Sequence, residues 1–583
     1  MSGMDNKNLI IAIAVSIVIL LGFELFIQRP NAELKQAQIA AQQAEEAKKA
    51  ESNPTPAAAP AGTVPGTAAA TTTVMPRAQA LTQAPRVRIS TPSLHGSISL
   101  EGGRLDDLSL VKYRETVDPA SPEIVLLSPN GAEHPYKAEF GWSLAQGATA
   151  KLPDGDTRWT TSADELTVGH PVDLSWDNGE GLKFVRTYAV DENFMFTVTQ
   201  RVENKSSTPV SLLPYGLINR TGTPEVLGYY LLHEGLIGIF DGKEKDIKYA
   251  DLKPADGKPN EVIETPTTGG WLGITDKYWL TALIPDQKEM VKTHFQKTEA
   301  GKIERYQADF LGPEHVADAG GSTESTIRFF AGAKEVKLLT GYMNDLGITN
   351  FDYAVDWGYF WFLTHPIFKV LDFFNHEIGN FGLSILLLTV LIKLAFFPLA
   401  NKSYRAMGKM KLLQPEMVKL REKFGEDKAR LNQEMMALYK RTGANPMAGC
   451  LPIFIQIPVF FSLYKVLFVT IEMRHAPFYG WVHDLSAQDP TSIFNLFGLI
   501  PFTPPHVLMI GAWPLIMGVT MFLQQKLNPQ PADPVQAKMF MFLPIVFTYM
   551  LASFPAGLVI YWAWNNTLSI LQQWVIMRRA AKT

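Results

Sequence analysis

The segment "LLLTVLIKLAFFPL", Leu386 to Leu399, holds thirteen residues suited to a bilayer or its edge and one ammonium, Lys393. A charge placed there can hold an anion, pass a proton or reach for lipid headgroups along its own stem. Its candidate neighbours are uncharged. Thr389 lies one turn before it, facing the same way, and Gln456 sits between Pro452 and Pro458 in the next apolar run. In the last run Tyr561, Asn565, Ser569 and Gln572 fall within an arc of about 80° at 100° per residue, a polar stripe down one helix. None of the five apolar runs in the C-terminal part contains Asp or Glu. Lys393 therefore has no intramembrane carboxylate, and acid-based proton relays and antiport sites are disfavoured.

A lone polar stripe ordinarily marks hydrogen bonds between helices, but a stripe beside an unpaired cation points to water. Neutralising a lysine of pKa ~10.4 at pH 7 costs about 4.6 kcal/mol, from ~1.36 kcal/mol per unit. Insertion scales charge only ~2.5–3.5 kcal/mol for a central lysine, whereas a dry isolated helix demands about 10 or more for a charged side chain. The expectation is a hydrated, cationic, inward-open groove. Simple snorkelling is the alternative, since seven residues, or ~10 Å of helix, separate Lys393 from the end of its run at residue 400.

The elements that must position these groups follow from hydropathy and periodicity. The chain has 583 residues, a formal net charge of −4 and 46% hydrophobic residues, with a mean hydropathy of +0.01. Soluble and membrane portions must coexist, and the bulk charge gives no reason to expect nucleic acid. Residues 1–28 read as an uncleaved signal anchor, with about 20 apolar residues and no small-x-small site after them. Residues 29–84 follow as an Ala/Pro/Thr-rich linker that cannot bury a core. Residues 85–345 alternate apolar and polar positions between turn signals, without βα alternation, which predicts a large antiparallel β-sandwich. In it His233, Glu234 and Trp271 could suggest a sugar or catalytic site, but a satisfied surface histidine and core aromatics explain them better. No metal-ligand spacing and no G-x-S-x-G elbow occurs there, and residues 28–380 lack cysteine.

Residues 357–378, aromatic-rich but charged and interrupted by Pro366, read as an interfacial amphipathic helix. Five spans are expected at 381–400, 446–469, 506–525, 539–553 and 557–577, with a loop at 470–505 and a tail at 578–583. Residues 401–443 read as a helical hairpin with a methionine-rich side, on which Met407, Met410, Met417 and Met435 recur at helical spacing. Such a side suits varied apolar partners, or the hairpin's own packing. Residues 401–442 hold eleven Lys/Arg against five Asp/Glu, while the 470–505 loop has a single Arg and no Lys. The positive-inside rule then puts the hairpin and both termini in the cytoplasm and the sandwich across the membrane, in the periplasm.

Four stretches carry a resemblance. "GNFGLSILLLTVLIKLAFFPLANKSYRAMGKMKLLQPEM", "GEDKARLNQEMMALYKRTGANPMAGCLPIFIQIPVFFSLYKVL", "APFYGWVHDLSAQDP" and "FPAGLVIYWAWNNTLSILQQW" are similar to the YidC-type membrane protein insertases of Gram-negative bacteria, almost end to end over the five-span core. The resemblance implies insertion and folding of newly made inner-membrane proteins, alone or beside the Sec translocon (SecYEG, SecDF). It implies no cofactor and no metal, with nascent membrane proteins and the lipid bilayer as partners, no direct nucleic-acid partner, and the ribosome or signal recognition particle pathway as further ones. It makes Lys393 the groove charge that attracts acidic residues of a substrate's tail, and it places Gln456, Tyr561 and Trp562 along the groove and substrate path. With the polar stripe, Thr389, Asn565 and Ser569 complete the expected path. The cytoplasmic hairpin would help receive substrates, and the sandwich would be of the galactose-mutarotase type. The family usually has arginine where this chain has Lys393, so attraction here depends on charge rather than bidentate geometry. The tail after Trp574 is short, which argues against ribosome docking through a long basic tail.

Other readings fare worse. An intramembrane hydrolase needs a base in the bilayer, and the spans offer only His506, at an edge. A small-solute transporter lacks repeated halves, and no phosphate-binding G-x-x-x-x-G-K-[ST] loop occurs. A passive scaffold for translocon assembly stays open.

Overall fold

A computed structural model describes residue 64 and residues 74–580, except 225–231, 253–259, 301–302, 426, 444–450, 501, 503, 506–508 and 529–533. The expected signal anchor, most of the linker, and the ends of the chain's tail lie outside the described residues. So do Cys450, His506 and the first residues of the expected span 446–469.

Residues 86–333 form two packed sheets. One has eleven strands, from an edge at Asn260–Thr268 through the central Val210–Thr221 and Tyr136–Leu144 to Glu165–Leu166. The other has nine, with Ser322–Ala333, Met195–Asn204 and Leu182–Val190 adjacent in its middle. Among the described strands pairing is antiparallel except where Arg86–Ser90 meets Glu165–Leu166. Strand Leu182–Val190 shows why the sequence alternates: residues at every second position are buried and those between are half-exposed. Phe140 and Phe196 meet Phe329 between the sheets, at ring distances of 5.8 and 6.1 Å. One buried position in that alternation is charged. Arg186 donates to the Gly103 carbonyl at 2.7 Å and to the Phe140 carbonyl, and its guanidinium lies 4.6 Å over Trp159. The expected sandwich is therefore present.

The helices follow. They are α1 (Val336–Asp345), α2 (Trp361–Ile378), α3 (Phe381–Ala395), α4 (Phe397–Phe424), α5 (Lys428–Thr442), α6 (Leu451–Val469), α7 (Ala512–Leu527), α8 (Pro534–Leu551) and α9 (Ala556–Ala580). Their limits follow local chemistry. Gly379, at φ 74°, ends α2, and the Asn380 side chain accepts from Leu383 N–H at 3.0 Å to begin α3. Asp427 caps α5 in the same way, at 3.0 Å, and Gly443, at φ 63°, ends it. The α2 helix begins four residues after the expected 357, because Gly358 turns the chain at φ 69°. Pro366 does not interrupt it.

The largest difference from expectation concerns the run around Lys393. Its helix ends at Ala395 rather than 400, and the chain bends by 69° into α4. Pro398 has no N–H for the carbonyl of residue 394, so the ladder cannot continue, and the proline instead occupies the first turn of α4. No single described helix is both long and apolar enough to cross a membrane, but the bent pair α3 and α4 meets both requirements together. The apolar side chains of α8, from Met539 to Met550, are largely exposed. From their link at Ala552–Pro555, α8 and α9 each pack along α7.

The sandwich and the helices share one core. Glu472 Oε1 accepts from Val336 N–H at the start of α1, at 2.9 Å. Arg474 donates to the Arg114 and Glu115 carbonyls and lies 5.4 Å from the Trp279 ring centre. Lys277 at a strand turn rests 3.8 Å over the Phe468 ring at the end of α6. These contacts make the sandwich a docked domain.

Candidate functional site: a lysine beside a small cavity

The bend after α3 brings Lys393 into that helix's last turn, beside α9. Its Nζ donates to Ser569 Oγ at 2.8 Å. Ser569 Oγ in turn donates to the Asn565 carbonyl at 2.8 Å, so the hydroxyl presents its lone pairs to the ammonium. Among the described residues Lys393 forms no ion pair. A cavity of ≈ 50 Å³ opens beside it, walled mostly by the apolar Ile392, Phe396, Leu399, Ala400 and Val459, with Lys393, Tyr404, Gln456 and Gln572 as its polar members. About 10–15 Å³ suffices for one water, so the space accommodates several. Gln456 Nε2 donates to the Tyr561 hydroxyl, tying α6 to α9. Gln572 Oε1 is buried in the same region with no partner among the described residues, an acceptor suited to water or to a donor carried in by a ligand.

Not every expected residue joins this group. Thr389 is buried, and its hydroxyl donates to the Ile385 carbonyl one turn back, at 2.7 Å, so it does not line the cavity. That local bond satisfies the hydroxyl without help from the lysine. Asn565 is buried and reaches the site through its carbonyl. Trp562 projects elsewhere on α9, against Phe460 at 4.6 Å and Phe547 at 5.9 Å. Its ring lines the packing of α6, α8 and α9 instead.

The hairpin's methionines divide. Met407 is buried with Tyr404 and Ile576 of α9, anchoring α4 to the core. Met417 is also buried, its sulfur 3.9 Å from the Tyr439 hydroxyl. Met407 is thus occupied by packing on α9, and Met417 by the hairpin's own packing. Met410 and Met435 are half-buried, whereas Leu412 and Met436 are 81% and 55% exposed.

Sequence reasoning overlooked a second lysine. Lys465 in α6 pairs with Asp356 at 2.6 Å, at the junction with the sandwich. It also overlooked Asn566 and Gln573, seven residues apart on α9, which meet Thr520 at 3.4 Å and Asn528 at 3.2 Å. Their spacing, two turns on one face, was a readable signal. In the sandwich, His233 is buried rather than a surface residue, with Nε2 3.0 Å from the Leu236 carbonyl. Trp271 is a core residue packed edge-on to Phe351 at 5.4 Å. No group of three or more His, Cys, Asp or Glu able to hold a metal occurs among the described residues.

Comparison with known proteins covers the whole chain. Residues 86–370 match the YidC periplasmic domain, and residues 373–583 match the 60Kd inner membrane protein family. A membrane protein insertase YidC from Methylobacterium sp. (strain 4-46) is 52% identical, over 99% of this chain and 96% of its own length. One from Methylorubrum extorquens (strain PA1) is also 52% identical with the same coverage. A solved active YidC insertase with its first transmembrane domain resolved aligns at 15% identity and TM-score 0.35, over 84% of this chain and 92% of that one. With half of all positions shared along the full length, and both parts matched in order, the chain belongs to the YidC family of membrane protein insertases.

Proposed function

We propose that this protein inserts newly synthesised proteins into the inner membrane and helps them fold, alone or with the Sec translocon components SecYEG and SecDF. Family membership supports the insertase reading, and the Lys393 site supplies a physical basis. The carrying observation is an ammonium at a small, mostly apolar-walled cavity into which Gln456 and Gln572 also face, held by one neutral hydroxyl and by no carboxylate among the described residues. Such a cation keeps its electrostatic demand available for an incoming anion, here an acidic residue on a substrate's translocating segment.

The chain works without a cofactor, a nucleotide or covalent chemistry, and so is not an enzyme. A substrate's apolar segment gains its own transfer free energy on entering lipid, ~0.8 kcal/mol per buried CH₂. The cavity shortens the dry path for the polar tail, Lys393 holds that tail transiently, and Gln456, Tyr561 and Ser569 hydrogen-bond along the path. Met410 and Met435 belong to the receiving hairpin. Thr389, Asn565 and Trp562 support the path by packing and backbone contact. The five spans carry the sandwich into the periplasm and leave both termini in the cytoplasm, where ribosome or signal recognition particle contacts would deliver substrate. The scaffold alternative predicts no dependence on the charge of residue 393.

The test is depletion of the native protein and rescue by Lys393→Arg, Lys393→Ala and Lys393→Glu. Arg restores insertion of substrates with acidic tails, and Glu does not. Equal rescue by Glu and Lys would refute the electrostatic mechanism. Crosslinks from Gln456 or Ser569 positions to a nascent chain separate insertase from scaffold.

A further inference from the structure

The loop between α6 and α7 carries an apolar tip that no described residue covers. Phe494, Leu496, Phe497, Leu499, Ile500 and Phe502 are 45–84% exposed, with Leu499 the most exposed. Two of these, Leu496 (φ 51°, ψ 46°) and Phe497 (φ 58°, ψ 32°), hold consecutive left-handed conformations that disfavour side chains of this size. These conformations accompany outward-facing apolar side chains, and no packing among the described residues offsets them.

The tip is held at the start of α7. Ile493 N–H donates to the Ile510 carbonyl at 3.0 Å. Thr491 Oγ1 accepts from Ala512 N–H at 2.9 Å, and the buried Asp489 accepts from Trp513 N–H at 2.8 Å. Asp489 also accepts from Trp481 Nε1 at 3.1 Å, and the Trp481 and Trp513 rings lie 6.5 Å apart. Paired tryptophans at a helix start mark the level of a membrane–water interface. From residue 490 to residue 525 the chain has no Asp, Glu, Lys or Arg. A protein-binding patch usually carries a polar or charged rim, and this tip has no charged one. The α7 helix has 16 residues, or ~24 Å of rise, short of the ~30 Å of hydrocarbon.

We propose that Phe494, Leu496, Phe497, Leu499, Ile500 and Phe502 insert into the leaflet on the sandwich side of the membrane, as an interfacial wedge whose partner is lipid acyl chain. The wedge fixes the height of α7 and of the Asp489 cap in the bilayer. It goes beyond the insertase reading and does not depend on the charge of Lys393.

The test uses the full-length chain with Cys450→Ser and Leu499→Cys, a nitroxide on Cys at 499, and vesicles of phosphatidylethanolamine and phosphatidylglycerol. Collision of the label with oxygen and with a water-soluble nickel chelate is compared with the same label at Val316→Cys, an exposed sandwich position. A wedge raises the oxygen-to-nickel ratio at 499 several-fold over that at 316. Equal ratios overturn the proposal, including the case in which the label is shielded only in native membranes, where a protein partner covers the tip. If the 499 variant does not fold, Phe494→Cys gives the same reading. Insertion activity measured on the labelled protein separates failure of the wedge from failure of the insertase reading.

Discussion

Lys465 Nζ lies 2.6 Å from Asp356 Oδ2, joining α6 to the segment that leaves the sandwich. The lysine side chain is only 10% exposed and the aspartate 25%. The His233 backbone N–H also donates to Asp356, at 3.2 Å, so one carboxylate serves both domains. Asp356→Ala should therefore lower stability by about 3 kcal/mol, the low end for a broken buried pair because the carboxylate is partly wet. Thermal unfolding of the purified protein measures this. Replacing both partners with apolar residues of similar volume recovers most of the loss.

Tyr561→Phe removes the acceptor for the Gln456 amide. An unpaired buried donor costs about 1–3 kcal/mol. Adding Gln456→Leu removes the orphan, so the double variant should be more stable than the sum of the two single changes predicts. A double-mutant cycle on thermal unfolding reads the coupling, and an additive cycle would count against the bond.

Glu472 lies in the junction, where burial pushes its carboxyl up to about 7, although the Val336 N–H opposes the shift. Its folded pKa is raised above the ordinary 4.5, so the folded protein binds the proton more tightly than the unfolded chain. The neutral form costs nothing below that lower value, and stability falls as pH rises from about 4.5 to about 7. Glu472→Gln keeps an acceptor for Val336 and removes the titration. The variant should flatten the pH dependence in that window and gain up to ~3 kcal/mol above pH 7, at ~1.36 kcal/mol per unit. Denaturation from pH 5 to 8 checks both.

Met407→Ala opens a cavity between α4 and α9, at a cost of about 2–5 kcal/mol. Hydrogen exchange in α4 should accelerate. Met436→Ala, at a residue 55% exposed, should stay within about 0.5 kcal/mol of the parent. Equal effects would mean that the hairpin is not anchored through Met407.

The sandwich was legible because its strands alternate with period two, as in Leu182–Val190, and that pattern needs no partner to be recognised. Helix positions were legible from apolar runs. Helix ends were less so, since the break after Ala395 depends on where Pro398 falls in the ladder. The stripe Tyr561, Ser569 and Gln572 was readable from helical spacing, and it faces one region with Gln456 and Lys393. Thr389 misled because a threonine can satisfy itself on its own helix, which periodicity does not reveal.

By itself, the sequence determined the order of domains, the apolar runs, the lysine without an acidic neighbour in those runs, and the family. These are properties of composition and spacing along one chain. Only the tertiary structure decided that Ser569 is the ammonium's partner and that Met407 and Met417 are occupied by internal packing. It also decided that Lys465, equally lodged in an apolar run, meets Asp356 while Lys393 meets no carboxylate among the described residues. Asp356 is more than a hundred positions from Lys465, and Ser569 is 176 from Lys393. Which cation is neutralised is settled by three-dimensional proximity, because electrostatic interaction falls with distance in space and takes no account of separation along the chain.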